Sequence, residues 1–187
     1  MDIALLIEIL LKDNPSVYIK ENEEYIFSLI PELKKSKGFD QNNPWHIYDV
    51  YEHILHVVDG VPNDIVLRMA ALFHDVGKPY TYLKDEKGVG HFPKHWIKSK
   101  EIFLKFASIH NLDDELVEKI STLIYYHDLS LKIDDKELER LVNIIGVENM
   151  PLLFQLKRAD LLAQSEKYHY ILEDYNKAED KVKKFML

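Results

Sequence analysis

The chain has 187 residues, 47% of them hydrophobic, enough to bury one core without covalent staples, so a single domain is expected. It has no cysteine, which excludes disulfides, thiolate metal sites and cysteine nucleophiles, leaves any metal to nitrogen and oxygen ligands, and makes the cytoplasm the expected compartment. A formal net charge of -8, with lysines scattered among more numerous Asp and Glu, excludes a broad field for nucleic acid and argues against DNA as a partner.

Residues 3 to 12 have the spacing of a short amphipathic helix closed by Asp13-Asn14-Pro15. The apolar run inside it is too short for a membrane span and lacks the basic start of a leader. A second helical segment is predicted from about Ser16 toward Pro31, and the polar, lysine-rich stretch from Pro31 to Asn43 reads as a connection. Residues 1 to 37 are thus expected to be a helical lead-in packed on the same domain, and residues 38 to 187 the main body with a C-terminal helix.

Asn43-Pro44 predicts a cap and first turn for a helix over Trp45 to Asp59, with Ile47, Val50, Ile54, Val57 and Val58 on its apolar face. His46, Asp49 and His53 would form a polar strip beside that face, His46 and Asp49 either facing a pocket or capping the helix start. Gly60 and Pro62 then break the chain before Ile65 to Pro79, IVLRMAALFHDVGKP, which is apolar on nearly every side and belongs in the middle of the protein. Gly77 is expected just past the helix end at positive φ, with Pro79 stopping the helix, so His74 and Asp75 fall in or just after the last turn. Burying an imidazole beside a carboxylate is costly unless something pairs with them, and a divalent cation is the obvious partner.

Residues 80 to 92 hold an Asp-Glu-Lys-Gly turn between short Tyr/Leu and Val/Phe segments, a small hairpin or an ordered loop able to act as a lid. Further helices are predicted from Lys94 to Ile109 with His95 at the start, from Asp113 or Asp114 to His127-Asp128, and from Asp134-Asp135 to Gly146. Another runs from Pro151 to Gln164, apolar except for Asp160, and a charged amphipathic one from Glu166 to Phe185. The expected fold class is all-α, with no internal repeat.

A His-Asp pair says little alone, and the chain has two, at 74-75 and 127-128. The set of His53, His74, Asp75 and Asp160 is more specific: two imidazoles and two carboxylates suit a borderline cation that keeps open water positions. Lys78 is either a helix C-terminal cation or a phosphate contact. His56, His91, His110 and His169 read as structural or surface residues, and Trp45 and Trp96 as packing.

At these residues the chain resembles the HD-domain metal-dependent phosphohydrolases, whose pattern is H, then HD, then D across an all-helical domain; here it reads His53, His74-Asp75 and Asp160. The stretches GFDQNNPWHIYDVYEHILHVVDG, AALFHDVGKP, the step His95-x-x-x-Ser99, and RADLLAQS are similar to the HD domain of bacterial CCA-adding tRNA nucleotidyltransferases and free-standing relatives, over about residues 38 to 165. No nucleotidyltransferase head with its Gly-Ser pair and closely spaced Asp residues is visible, so the resemblance implies the hydrolytic module alone. One departure is Pro93-Lys94-His95, where a Gly commonly precedes that histidine.

The resemblance implies an HD-domain helical bundle and a divalent ion (Mn, Ni, Co, Fe, Zn or Mg) on His53, His74, Asp75 and Asp160. Two-metal members of the family add histidines at comparable places, which makes His95 and His127 the candidates for a second ion or a phosphate contact. The implied activity is hydrolysis of a phosphomonoester or phosphodiester, of a nucleotide or an RNA end, by metal-activated water. Asp75 would orient or deprotonate that water and Lys78 would stabilise the non-bridging oxygens. The alternative is a non-catalytic metal-containing module that binds a nucleotide or RNA end; oxidation at a di-iron centre ranks behind both.

Overall fold

The computed structural model of the protein describes residues 3–131 and 134–185. In chain order its helices are α1 (Ala4–Leu10), α2 (Pro15–Glu21), α3 (Glu23–Leu29), α4 (Pro31–Ser36), α5 (Val50–Gly60), α6 (Ile65–Phe73), α7 (Lys78–Thr81), α8 (His95–His110), α9 (Asp114–Tyr126), α10 (Asp135–Ile145), α11 (Met150–Leu162) and α12 (Leu172–Phe185). A two-stranded hairpin lies between α7 and α8, and a 3-10 segment, Glu166–Ile171, leads into α12. The architecture is the expected all-α bundle.

Helix α6 is its axis. Asp64 starts it by accepting the amide hydrogen of Leu67 at 3.0 Å, and every residue from Leu67 to Phe73 is buried. Around it pack α1, α5, α8, α9 and α11, while α2 and α4 lie on α5 and α12 closes over α10 and α11. Asp113 and Asp134 cap α9 and α10 in the same way as Asp64, and Gly146 ends α10 at φ +89°. No helix among the described residues is long and apolar enough to cross a membrane.

The helix bounds depart from the sequence pattern in four places. The segment expected to be continuous from Ser16 is broken at Asn22, whose amide donates to the Tyr18 carbonyl at 2.9 Å and so closes α2. The stretch after Pro31, read as a connection, begins with α4, Pro31 serving as a first-turn residue. The helix expected from Trp45 starts only at Val50: Asn43 spends its oxygen on the Trp45 amide in a tight turn, and Asp49 caps α5 by accepting from Glu52 at 2.8 Å. The C-terminal helix begins at Leu172, after the 3-10 turn.

The hairpin pairs Leu83 with His91 and Lys84 with Gly90 around a turn held by Asp85. It is fastened to the loop before α5, since Gly90 donates to the Asn42 carbonyl at 2.8 Å and accepts from the Asn43 amide at 2.8 Å. This brings His91 and Phe92 to the edge of the cavity described next.

Candidate metal centre

Helix termini deliver most of the chemistry. His74 and Asp75 follow directly on α6, His127 directly on α9, and His95 opens α8; His53 lies one turn into α5 and Asp160 near the end of α11. All four imidazoles are buried, as is Asp75, while the Asp160 side chain is 18% exposed on the floor of a cavity of about 500 Å³.

Each ring is fixed by a backbone carbonyl at Nδ1: His74 by Ala71 at 2.7 Å, His127 by Ile124 at 2.7 Å, His95 by Phe92 at 2.9 Å and His53 by Ala163 at 3.4 Å. A carbonyl only accepts, so Nδ1 carries the hydrogen and Nε2 turns a lone pair inward. The four Nε2 atoms converge in two pairs, His53 with His74 at 3.3 Å and His95 with His127 at 3.1 Å.

Asp75 lies between the pairs. Its Oδ2 is 3.3 Å from His53 and 3.2 Å from His74, and its Oδ1 is 3.2 Å from His95 and 3.6 Å from His127. Asp160 adds an oxygen 3.0 Å from His53 and 4.0 Å from His74. Ligands bound at about 2.1 Å to one ion, at tetrahedral or octahedral angles, lie roughly 3.0–3.4 Å from their neighbours, so most of these spacings are those of donors around shared cations. The buried Asp75 Oδ1, which has no hydrogen-bond partner, and the facing lone pairs are satisfied together only by positive charge between them. Nitrogen and oxygen donors without sulfur fit a borderline or hard divalent ion. Residues His53, His74 and Asp75, with Asp160 beside the two imidazoles, could hold one ion, and Asp75, His95 and His127 another.

The electrostatics agree. Burial raises the Asp75 carboxyl, but the His74 imidazole and the Lys78 ammonium beside it outweigh this and hold the group well below the usual carboxylate range. Burial likewise opposes ionisation of Asp160, and the His53 hydrogen bond and charge again win. His53 itself is lowered by burial, yet the hydrogen bonds and charges of Asp160 and Asp75 outweigh this and push it up to about 9. His127 is pushed down by burial and keeps its lone pair.

Lys78 is buried, with its ammonium 2.7 Å from Asp75 Oδ2 and 2.8 Å from the Gln41 side-chain oxygen, at the cavity wall. His46 also lines the cavity, and burial beside Lys78 pushes it down to about 2, so it is neutral. Asp49 does not face the pocket: its oxygens accept from Glu52 and Gly38 amides. Of the histidines read as structural or surface, His91 reaches the cavity rim and His56 stacks on Tyr48. Trp45 stacks on Tyr168 at 3.6 Å and also borders the cavity. Sequence reading missed Lys157, a buried cation on α11 whose ammonium donates to the His127 carbonyl and which burial pushes down to about 8. Its signal was a charged residue three positions before Asp160 in an apolar run.

Gly77 was expected at positive φ, but its φ is -78°. What requires glycine is space: a Cβ there would lie 2.5 Å from the His95 carbonyl oxygen and 2.7 Å from the Ser99 nitrogen. The close approach lets the Gly77 amide donate to the Ser99 hydroxyl at 2.9 Å and seats α8, with His95, against Asp75. Lys94, the residue before His95, takes the left-handed conformation at φ 58°. Gly77→Ala is expected to cost about 1–3 kcal/mol, lowering the melting temperature by roughly 2–12 °C, and to displace His95. Thermal unfolding and metal content of the variant measure both effects.

A sequence model of the HD domain matches residues 45–167, which contain all six candidate ligands. The A-adding tRNA nucleotidyltransferase of Deinococcus radiodurans is 31% identical over 137 residues, covering 70% of this chain and 31% of that protein, so the chain spans about a third of the relative's length. The match extends over the H, HD and D positions in their expected order on a helical bundle, and the chain belongs to the HD domain family, within the superfamily of metal-dependent phosphohydrolases.

Proposed function

We propose that this protein hydrolyses a phosphomonoester or phosphodiester of a small phosphorylated compound, a nucleotide or an RNA end, at a centre of two divalent ions. The observation that carries the reading is Asp75 set between two imidazole pairs whose lone pairs all point inward. One ion would sit on His53, His74, Asp75 and Asp160, the other on Asp75, His95 and His127. When bound, such ions supply a Lewis acid that brings the pKa of water toward neutrality and polarises a phosphoryl oxygen.

The chain's own groups divide the remaining work. Both Asp75 oxygens are engaged within the centre, which favours orienting water over taking its proton. Asp160, partly exposed and steadied by the Gln164 amide at 3.0 Å, borders the cavity and is placed to accept a hydrogen bond from that water and orient it. Lys78 offsets the charge of Asp75 and, from the cavity wall, is placed to meet charge developing on non-bridging oxygens. Phe92 and His91 of the hairpin border the cavity at one side. The tRNA in the name of the Deinococcus radiodurans relative keeps an RNA end among the substrates to be tried.

The presence of His95 and His127 beside Asp75 also meets the requirement of an oxidative di-iron centre. A panel of phosphomonoesters, cyclic and linear phosphodiesters and nucleotides, run with Mn, Fe, Co, Ni, Zn and Mg, tests the assignment. Metal-dependent turnover that a chelator abolishes and added ion restores is expected. Nucleotide binding without turnover under every ion supports the non-catalytic module instead, and an iron-dependent absorbance with oxygen consumption supports the oxidase.

A further inference from the structure

Lys157 stands three residues before Asp160 on α11, so the two side chains share a face of the helix and border the same cavity. It is 4% exposed. Its ammonium donates to the His127 carbonyl, at the end of α9, and lies 5.3 Å from the centre of the Tyr175 ring. Asp160 and Asp128 act on its charge from a distance, but among the described residues no carboxylate forms an ion pair with it. Lys78, the other buried cation of the cavity, is already matched by Asp75.

An ammonium has three hydrogens to donate, and among the described residues one of these is used, by the His127 carbonyl. A cation at a helix C-terminus gains from the helix dipole, yet it gains as much at the surface, where it keeps its hydration. Enclosing it without a counter-ion is costly and is compensated when an anion enters the space beside it. Tyr175 offers a ring face but no negative charge.

We propose that Lys157 is the anion-holding residue of this cavity, receiving a phosphoryl oxygen of the substrate on the ammonium that the metal ligands leave unmatched. The proposal rests on the phosphohydrolase reading for the identity of the anion. A purely structural brace for His127 would need only the hydrogen bond to its carbonyl, whereas an anion site needs the charge.

Three variants separate these roles in the manganese-loaded full chain. Lys157→Met keeps an apolar stem without donor or charge, Lys157→Gln keeps a donor without charge, and Lys157→Arg keeps both. Titration with inorganic phosphate, followed calorimetrically, is expected to show affinity reduced roughly tenfold or more in the Met and Gln variants and within about threefold of the parent in Arg. Manganese content in the Gln variant should equal that of the parent. Phosphate binding by Lys157→Gln as tight as by the parent overturns the proposal, and so does a drop confined to manganese content, the result a brace gives. Because phosphate binding is read without turnover, a chain that hydrolyses no ester in the panel still returns the Lys157 result. Ester hydrolysis with unaltered KM and phosphate affinity in Lys157→Gln instead removes the anion site and leaves the hydrolase standing.

Discussion

Asp75→Asn is expected to abolish metal-dependent turnover and empty both halves of the centre at once. An amide of nearly the same shape leaves the packing around α6 in place, but it carries no charge and offers one oxygen where two face opposite imidazole pairs. Loss of even an outer contact to a metal ligand costs about 10–100-fold in affinity or activity, so loss of the shared ligand should lower turnover by about 10³-fold or more. The ion-free protein should be destabilised as well. The ammonium of Lys78, whose side chain is 6% exposed, loses its carboxylate, and breaking one partner out of a buried pair costs about 3–5 kcal/mol. Turnover, metal content and urea unfolding, measured side by side, check the three effects; a variant that keeps its ions and its rate would remove Asp75 from the centre.

The second large effect is a division between the two halves. His127→Ala should lose the ion of the His95 half and retain the other, because His53, His74, Asp75 and Asp160 remain a complete set. His53→Ala and Asp160→Ala should do the reverse. Activity is expected to fall by about 10²-fold or more in each, since a two-ion clamp acts on both the attacking and leaving oxygens. Helical content should stay near that of the parent, the cost of each being a small cavity beside the core rather than a lost helix. Elemental analysis of the purified variants, paired with circular dichroism, distinguishes this pattern from a single ion shared by all the ligands, for which every variant would lose the same ion.

The features legible in the sequence are those that depend on neighbours along the chain. The burial of α6 follows from an apolar run bounded by the Gly60 and Pro62 break at one end and the His-Asp-x-Gly turn at the other, and the Asp113-Asp114 and Asp134-Asp135 pairs announce the starts of α9 and α10. The helix start at Asn43-Pro44 misled because Asn43 satisfies Trp45 locally, leaving Asp49 to cap α5. Gly77 was recognised as a necessary glycine for the wrong reason: the turn needs no positive φ, and the crowding comes from His95 and Ser99 of α8, far along the chain in a different element.

At the centre, His53, His74, Asp75 and Asp160 could be picked out as a set. The partnership of His95 with His127 could be named only as a candidate, because it depends on α8 and α9 packing together so that residues 32 apart in sequence bring their Nε2 atoms to 3.1 Å. Lys157 was hidden for a related reason. It precedes Arg158, which pairs outward with Glu179, and a Lys-Arg step looks like a solvated face until the helix is placed and one of the two turns into the cavity.

The most direct measurement of the whole account is the metal content of the folded parent chain, stripped with a chelator, equilibrated in turn with Mn, Fe, Co, Ni, Zn and Mg, and freed of unbound ion before elemental analysis. Two ions per chain are expected for at least one of these metals, one for each imidazole pair that Asp75 joins. A folded parent that retains no stoichiometric ion from any of them would contradict it.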